Sequence, residues 1–258
     1  MNQIKDAFLK KKALITFVTG GDPNLQITEQ LLYAMEEAGA DLIEIGIPFS
    51  DPVAEGEVIQ AANVRALKEG TTTDQLFDML NCAKEKLTVP IVFLTYMNPI
   101  YSYGTMRFMK KCKECGVAGI IIPDVPYEER SEVEDLMKEY GIERISMIAP
   151  TSRERISMIA KEAEGFLYCV SSLGVTGVRT RITTNLQDMI ATAKEVSEIP
   201  CAIGFGISTP EQAKSMARIS DGVIVGSAIV RIIGLYKENC IPYVYDYVHS
   251  LKQAILDI

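Results

Sequence analysis

A chain of 258 residues, 48% hydrophobic and 23% charged, has the composition of a globular protein large enough to enclose a sizeable core. Its formal net charge of -8 argues against a nucleic-acid binder, which carries a basic face. No apolar run approaches the roughly 20 residues that span a bilayer, and MNQIKDAFLKKKALITFV lacks an apolar signal core followed by a small-residue cleavage site.

The N-terminal stretch therefore reads as an amphipathic helix leading into the first strand of a cytoplasmic protein. Ala13–Val18 is a short apolar run ended by Thr19-Gly20-Gly21-Asp22-Pro23, a strand and then a loop. Helical spacing of Ile27, Leu31, Leu32, Met35 and Ala38 predicts a helix over 25–38 that stops at Gly39. Asp41–Ile45 is a second strand, followed by helices over 58–67 and 73–86, the latter capped at Thr73. The alternation continues with strands over 91–94, 119–122, 144–148, 166–170, 201–205 and 222–225. Helices are predicted over 105–115, 128–140, 152–163, 185–196, 210–217 and 227–235, with a further C-terminal helix over 243–256. Eight strands alternating with helices form the pattern of a single (β/α)8 TIM barrel over residues 1–258, with extra N-terminal and C-terminal helices. A doubly wound open sheet is the alternative, but no G-x-G-x-x-G follows the first strand.

The six cysteines include one C-x-x-C, Cys112 and Cys115, in a helical pattern with no second C-x-x-C. A structural zinc site needs four ligands, and the single histidine, His249, lies far away. The residue types of a metal centre or a Ser/His/Asp triad are thus not assembled.

Asp41 to Gln60, DLIEIGIPFSDPVAEGEVIQ, organises the rest. Glu44 is a carboxylate inside an apolar strand, costly unless it has a partner or a task. The strand then breaks into a loop rich in proline and glycine that carries a second carboxylate, Glu55. One acid on a strand and one on the following loop suit paired acid and base work. The alternative is that Glu44 sits at a strand end and pairs with a lysine. Glycines follow strands six, seven and eight at Ser171–Gly177, Gly204-Phe205-Gly206 and Gly226-Ser227, the last opening a helix. Loops at these strand ends, with a helix N-terminus, are the common phosphate cup of a barrel, although each glycine alone fits a turn equally well. The polar stretch from Leu173 to Thr184, with Arg179 and Arg181, reads as a lid beside that cup or as a solvated loop. Phe17, Tyr96, Tyr168 and Phe205 offer an apolar wall near the mouth or belong to the core, and Asp124 is a third acid or a turn residue.

The motifs EIGIPFSDPVAEG, FVTGGDP, PDVP, SLGVTG, GFGIS and GSAIV, at successive strand ends, resemble those of the tryptophan synthase alpha subunit family over nearly the whole chain. The resemblance implies a cofactor-independent lyase that splits indole-3-glycerol phosphate into indole and glyceraldehyde 3-phosphate. It implies Glu44 as the acid-base residue at indole C3 and the glycerol hydroxyl, and Glu55 as the acid facing the indole N–H. Gly177, Gly206, Gly226 and Ser227 align with the phosphate site, and Thr176 with a lid threonine that orders the loop acid. Phe17, Leu94, Tyr168 and Phe205 align with the wall around the indole. It also implies a beta subunit that alone carries pyridoxal phosphate, an alpha2beta2 tetramer, and Pro48 to Pro52 as an interface segment. Two positions depart from the family's usual pattern: Glu55 stands where Asp is usual, and Glu57 where Pro is common. The departures leave open an alpha-like subunit with vestigial chemistry that mainly activates its partner. A stand-alone indole-releasing lyase and another phosphate-binding barrel enzyme, such as an isomerase, are further alternatives.

Overall fold

The structure is a computed structural model; it describes residues 4–9, 12–170, 179–204, 206–256 and 258, and only the backbone of 179–185. Its strands are β1 (Ala13–Thr19), β2 (Leu42–Gly46), β3 (Ile91–Leu94), β4 (Val117–Ile121), β5 (Glu143–Arg144), β6 (Ser146–Ile148), β7 (Leu167–Val170), β8 (Cys201–Gly204) and β9 (Gly222–Val225). All pair in parallel, in the order β5-β4-β3-β2-β1-β9-β8-β7-β6. β5 and β6 are one barrel strand broken at Ile145. β5 pairs with β4 and β6 pairs with β7, so the chain itself closes the ring there. The Ile145 N–H still donates to Ile120 O at 3.0 Å, which keeps the ladder going across the break. The eight predicted strands are thus the eight staves of a (β/α)8 barrel.

Alternation along the strands sets which side chains face inward. Ile15, Leu42, Val92, Phe166, Ala202 and Ile224 fill the barrel's interior. Leu14, Val18, Ile43, Ile45, Phe93, Cys169 and Ile203 belong to the layer between strands and helices. Of the N-terminal stretch, the described residues form a 3-10 helix, Ile4–Phe8, where an amphipathic helix is expected, and Ile4 is fully buried in the interior cluster. A Cβ on Gly119 would come within 2.8 Å of Ile4 Cδ1, so glycine is required where this turn closes the barrel floor.

Helix boundaries follow local chemistry. The helix Thr73–Ala83 is capped by Thr72, not Thr73. The Thr72 hydroxyl accepts from Gln75 N–H while the Gln75 side chain accepts from Thr72 N–H, a reciprocal capping box. Met97–Tyr103 is a helix that the sequence pattern does not reveal. Its Pro99 sits in the first turn, where the missing N–H removes no helical bond. Backbone from Arg179 onward is helical (Arg179–Lys194), so the second half of the expected polar loop belongs to a helix. Cys112 and Cys115 are buried on the apolar face of Thr105–Cys115, and the Cys115 thiol donates to Phe77 O. Among the described residues no helix is long and apolar enough to cross a membrane.

Candidate active site

The C-terminal ends of the strands surround a cavity of about 400 Å³. It is lined by Phe17, Glu44, Leu94, Tyr168, Gly206, Gly226 and Ser227, and by Ala54, Glu55, Ile59, Tyr96 and Met147. Six of the aligned binding residues therefore meet both carboxylates in one place. Thr176, Gly177 and Phe205 lie outside the described residues, as do the side chains of Arg179 and Arg181.

Glu44 comes from the middle of β2, flanked by Phe17 on β1 and Val92 on β3. It is only 1% exposed, and neither carboxylate oxygen has a hydrogen-bond partner among the described residues. The lysine pairing that a strand-end reading would require is not made by any described residue. Burial pushes its pKa up to about 8, because ionisation here is not compensated by any donor among the described residues. Burial, and then the neighbouring Glu44 charge, raise the Tyr168 phenol well above its ordinary value.

Glu55 is held differently. Its carboxylate accepts from Asn63 Nδ2 and is bonded by the Tyr96 hydroxyl, which also accepts from Ala54 N–H at 3.1 Å. Burial raises its pKa to about 7, against the lowering effect of those two donors. The Tyr96 phenol is in turn raised, first by burial and then by the Glu55 charge. Asn63 stands in the helix Glu57–Lys68 and is 3% exposed. Its Oδ1 accepts from Phe49 N–H at 3.1 Å, and its amide donates to Glu55 and to Ile59 O. One side chain thus ties the start and end of the loop after β2 to the helix that follows.

Asn63 escapes motif reading, but a signal exists. Ile59, Ala62, Asn63 and Ala66 follow the i, i+3, i+4, i+7 spacing of an inward helix face, and Asn63 is its one amide. Asp124 proves to be a cap rather than a third acid: both its oxygens accept from Met97 N–H, at 3.0 and 3.1 Å. Pro48 to Pro52 runs along the rim, half-buried to exposed, beside Val53, which is 81% exposed.

At the other end of the cavity, Gly226 precedes the helix Ser227–Tyr236, which has no acidic residue in its first turn. The first amides of a helix have no intrahelical acceptor, and the helix dipole places partial positive charge there. A Cβ on Gly226 would press on the Phe17 side chain at 3.2 Å, so glycine lets this turn lie against the cavity wall. An apolar slot with two carboxylates and an anion-receptive helix end fits a substrate with a flat apolar ring at one end and a phosphate at the other.

A profile of the family described as Tryptophan synthase alpha chain matches residues 4–255. The chain is 44% identical over 255 residues to the tryptophan synthase alpha chain of Lacticaseibacillus casei, spanning 99% of this chain and 96% of that protein. It is 46% identical over 256 residues to that of Lactiplantibacillus plantarum, spanning 99% and 97%. Among solved structures, tryptophan synthase subunit alpha from Legionella pneumophila superposes with a TM-score of 0.90 at 36% identity, covering 100% of both chains. A chain of tryptophan synthase from M. tuberculosis, aminoacrylate-bound form, superposes at 0.87 with 27% identity, covering 99% of this chain and 100% of that one. Similarity that runs the length of the barrel, and takes in the loops around this cavity, means that the chain belongs to the tryptophan synthase alpha chain family.

Proposed function

We propose that this chain, acting as one (β/α)8 domain, cleaves indole-3-glycerol phosphate to indole and glyceraldehyde 3-phosphate with Glu44 and Glu55 as its catalytic pair. The observation that carries the reading is a buried, unpartnered carboxylate and a hydrogen-bonded one in the same cavity. Glu44, neutral at physiological pH because burial disfavours its charge, delivers its proton to indole C3. The ring becomes an indolenine-like cation, and the Glu55 carboxylate stabilises it at the N–H. Glu44, now ionised, takes the proton of the glycerol hydroxyl. The C–C bond then breaks, its electron pair returns to the ring, and the aldehyde forms. One proton enters and one leaves, so Glu44 ends as it began. Phe17, Leu94 and Tyr168 flank the ring. Gly206, Gly226 and Ser227 receive the phosphate; Gly177, Thr176 and Phe205, outside the described residues, are assigned to the phosphate, the loop acid and the ring by the family resemblance alone.

The two carboxylates must be in opposite states, which fixes the pH dependence. The Glu55 carboxylate form is populated above its raised pKa of about 7, and the Glu44 acid form below its raised pKa of about 8. The rate constant kcat/KM is expected to trace a narrow bell with apparent limbs near those values, falling tenfold per unit on either side. A profile flat from pH 6 to 9 would remove both assignments.

The family is the cofactor-free half of tryptophan synthase, and a beta chain is its partner. We assign the exposed rim from Pro48 to Pro52 to that contact, in an alpha2beta2 tetramer in the cytoplasm, with pyridoxal phosphate confined to the beta chain. The reading that this chain only activates its partner rested on the departures at Glu55 and Glu57. The grip of Asn63 and Tyr96 on its carboxylate, inside the cavity, favours a working acid instead. Indole release by the purified chain, with and without a cognate beta chain, tests the assignment. Slow release alone with a large rise on adding partner is expected. No release in either case, with tryptophan formation by the beta chain still raised, would make this an activating subunit.

A further inference from the structure

Arg65, on the helix Glu57–Lys68, is the side chain whose geometry the catalytic reading does not use. Its Nε and Nη2 each donate to one oxygen of Asp22 at 2.7 Å. Asp22 belongs to the loop after β1 and its side chain is fully buried. The guanidinium also lies against the helix Ser227–Tyr236. A Cβ on Gly234 would come to 3.1 Å from Nη2 and 3.3 Å from Cζ, so the absence of a side chain at 234 makes the groove in which the fork rests.

One residue therefore joins three elements, and two of them carry opposite ends of the cavity. The helix Glu57–Lys68 bears Asn63, which grips Glu55. The helix Ser227–Tyr236 offers its N-terminus at Gly226 and Ser227, where the phosphate is received. Between them lies an apolar cluster in which Ala62 and Val230 join Phe17, with Val58 and Ile59 packed against it. Apolar packing of this kind sets how closely the two helices approach but has no directional bond to hold one against sliding along the other. A planar fork held by two parallel hydrogen bonds fixes the helix Glu57–Lys68 on the loop after β1, because its geometry is directional, and the guanidinium so held is the surface against which the helix Ser227–Tyr236 packs at Gly234.

We propose that Arg65 is a positioning residue for the cleavage reaction: locked on Asp22 and seated against Gly234, it fixes the offset between the helix that holds Glu55 and the helix that receives the phosphate. This rests on the catalytic reading above. The consequence is chemical rather than merely structural. A substrate anchored by its phosphate presents its ring to Glu55 at a distance set by that offset, and a misplacement near 1 Å costs on the order of 100-fold in rate.

The test compares the parent chain with Arg65→Lys and Gly234→Ala, each alone and in a Glu55→Gln background, by indole release and by thermal unfolding. Lysine keeps the charge and loses the fork. Arg65→Lys is expected to lower kcat about 10- to 100-fold, with KM for indole-3-glycerol phosphate changing less than about threefold. Gly234→Ala keeps both residues of the Asp22 pair but presses a methyl on the guanidinium and pushes the two helices apart, so a fall of the same kind is expected there even if Arg65→Lys does not fold. In the Glu55→Gln background either change should have little further effect, because the acid through which it acts is gone. Unfolding at a lower temperature with kcat within twofold of the parent would overturn the proposal and leave Arg65 a purely structural tie. Losses that simply multiply with that of Glu55→Gln would overturn it as well. A parent chain that releases no indole with or without a beta chain would instead overturn the catalytic reading, and this inference with it.

Discussion

Glu44→Gln is expected to lower kcat about 1,000- to 10,000-fold, the upper range of what a positioned acid-base group contributes. The amide has the same size and no proton to give to indole C3, while the cavity and Glu55 stay as they are. The same change has a signature in stability that identifies the cause. A carboxyl whose folded-state pKa is raised from 4.5 to about 8 binds its proton more tightly when folded than when unfolded. Its favourable contribution is complete below pH 4.5 and is lost progressively as pH rises towards 8. The whole shift corresponds to on the order of 5 kcal/mol. Glutamine has no such slope, and its own desolvation cost is the same at every pH. Between pH 5 and pH 8 the variant should therefore gain roughly 10 °C in Tm relative to the parent. Equal pH dependence of the two melting curves would show that Glu44 ionises freely in the folded chain, and its role as the acid would fall.

The (β/α)8 order was legible because each stave is a short apolar run closed by glycine or proline, and each helix keeps its spacing between such stops. Where reading by pattern failed, a contact distant in sequence decides the outcome. Met97–Tyr103 exists because Asp124, 27 residues on, caps its first N–H, and no local pattern announces that. The fifth stave breaks at Ile145 because its neighbours change there, from β4 to β7, as the ring closes. The same contrast holds in the site. Glu44 was visible as a charge in an apolar strand, and the glycines as stops at strand ends. That no described residue partners Glu44 was not visible, since a lysine elsewhere in the chain serves a strand-end acid equally well. Nor was the grip on Glu55, which depends on Asn63 turning inward from the next helix and on Tyr96 reaching over from β3's end. Strand-end motifs located the cavity; the hydrogen bonds between loops, absent from any motif, hold Glu55 and not Glu44 among the described residues.

That grip also decides what the departure at position 55 means. Glutamate carries its carboxylate roughly 1 to 1.5 Å further from the backbone than aspartate, about the error that costs 100-fold in rate. If the loop had kept a backbone suited to aspartate, Glu55 would overreach, and Glu55→Asp would raise the rate sharply. The structure points the other way. The loop is tied at Phe49 and Ala54 to the same two side chains, Asn63 and Tyr96, that bond the Glu55 carboxylate. The Gln60 side chain donates to Glu55 O at 2.8 Å as well, so the backbone of residue 55 is fixed independently of its carboxylate. A shorter side chain on this fixed backbone withdraws from both donors at once. Glu55→Asp is thus expected to lower kcat about 10- to 100-fold and to raise the acid limb of the pH profile, because Asn63 and Tyr96 no longer favour the ionised form. Asn63→Ala should move that limb in the same direction with Glu55 intact, since it removes one of the two donors. A rate that rises in Glu55→Asp would mean that the loop never adapted to its longer acid, and that this chain works below what its barrel allows.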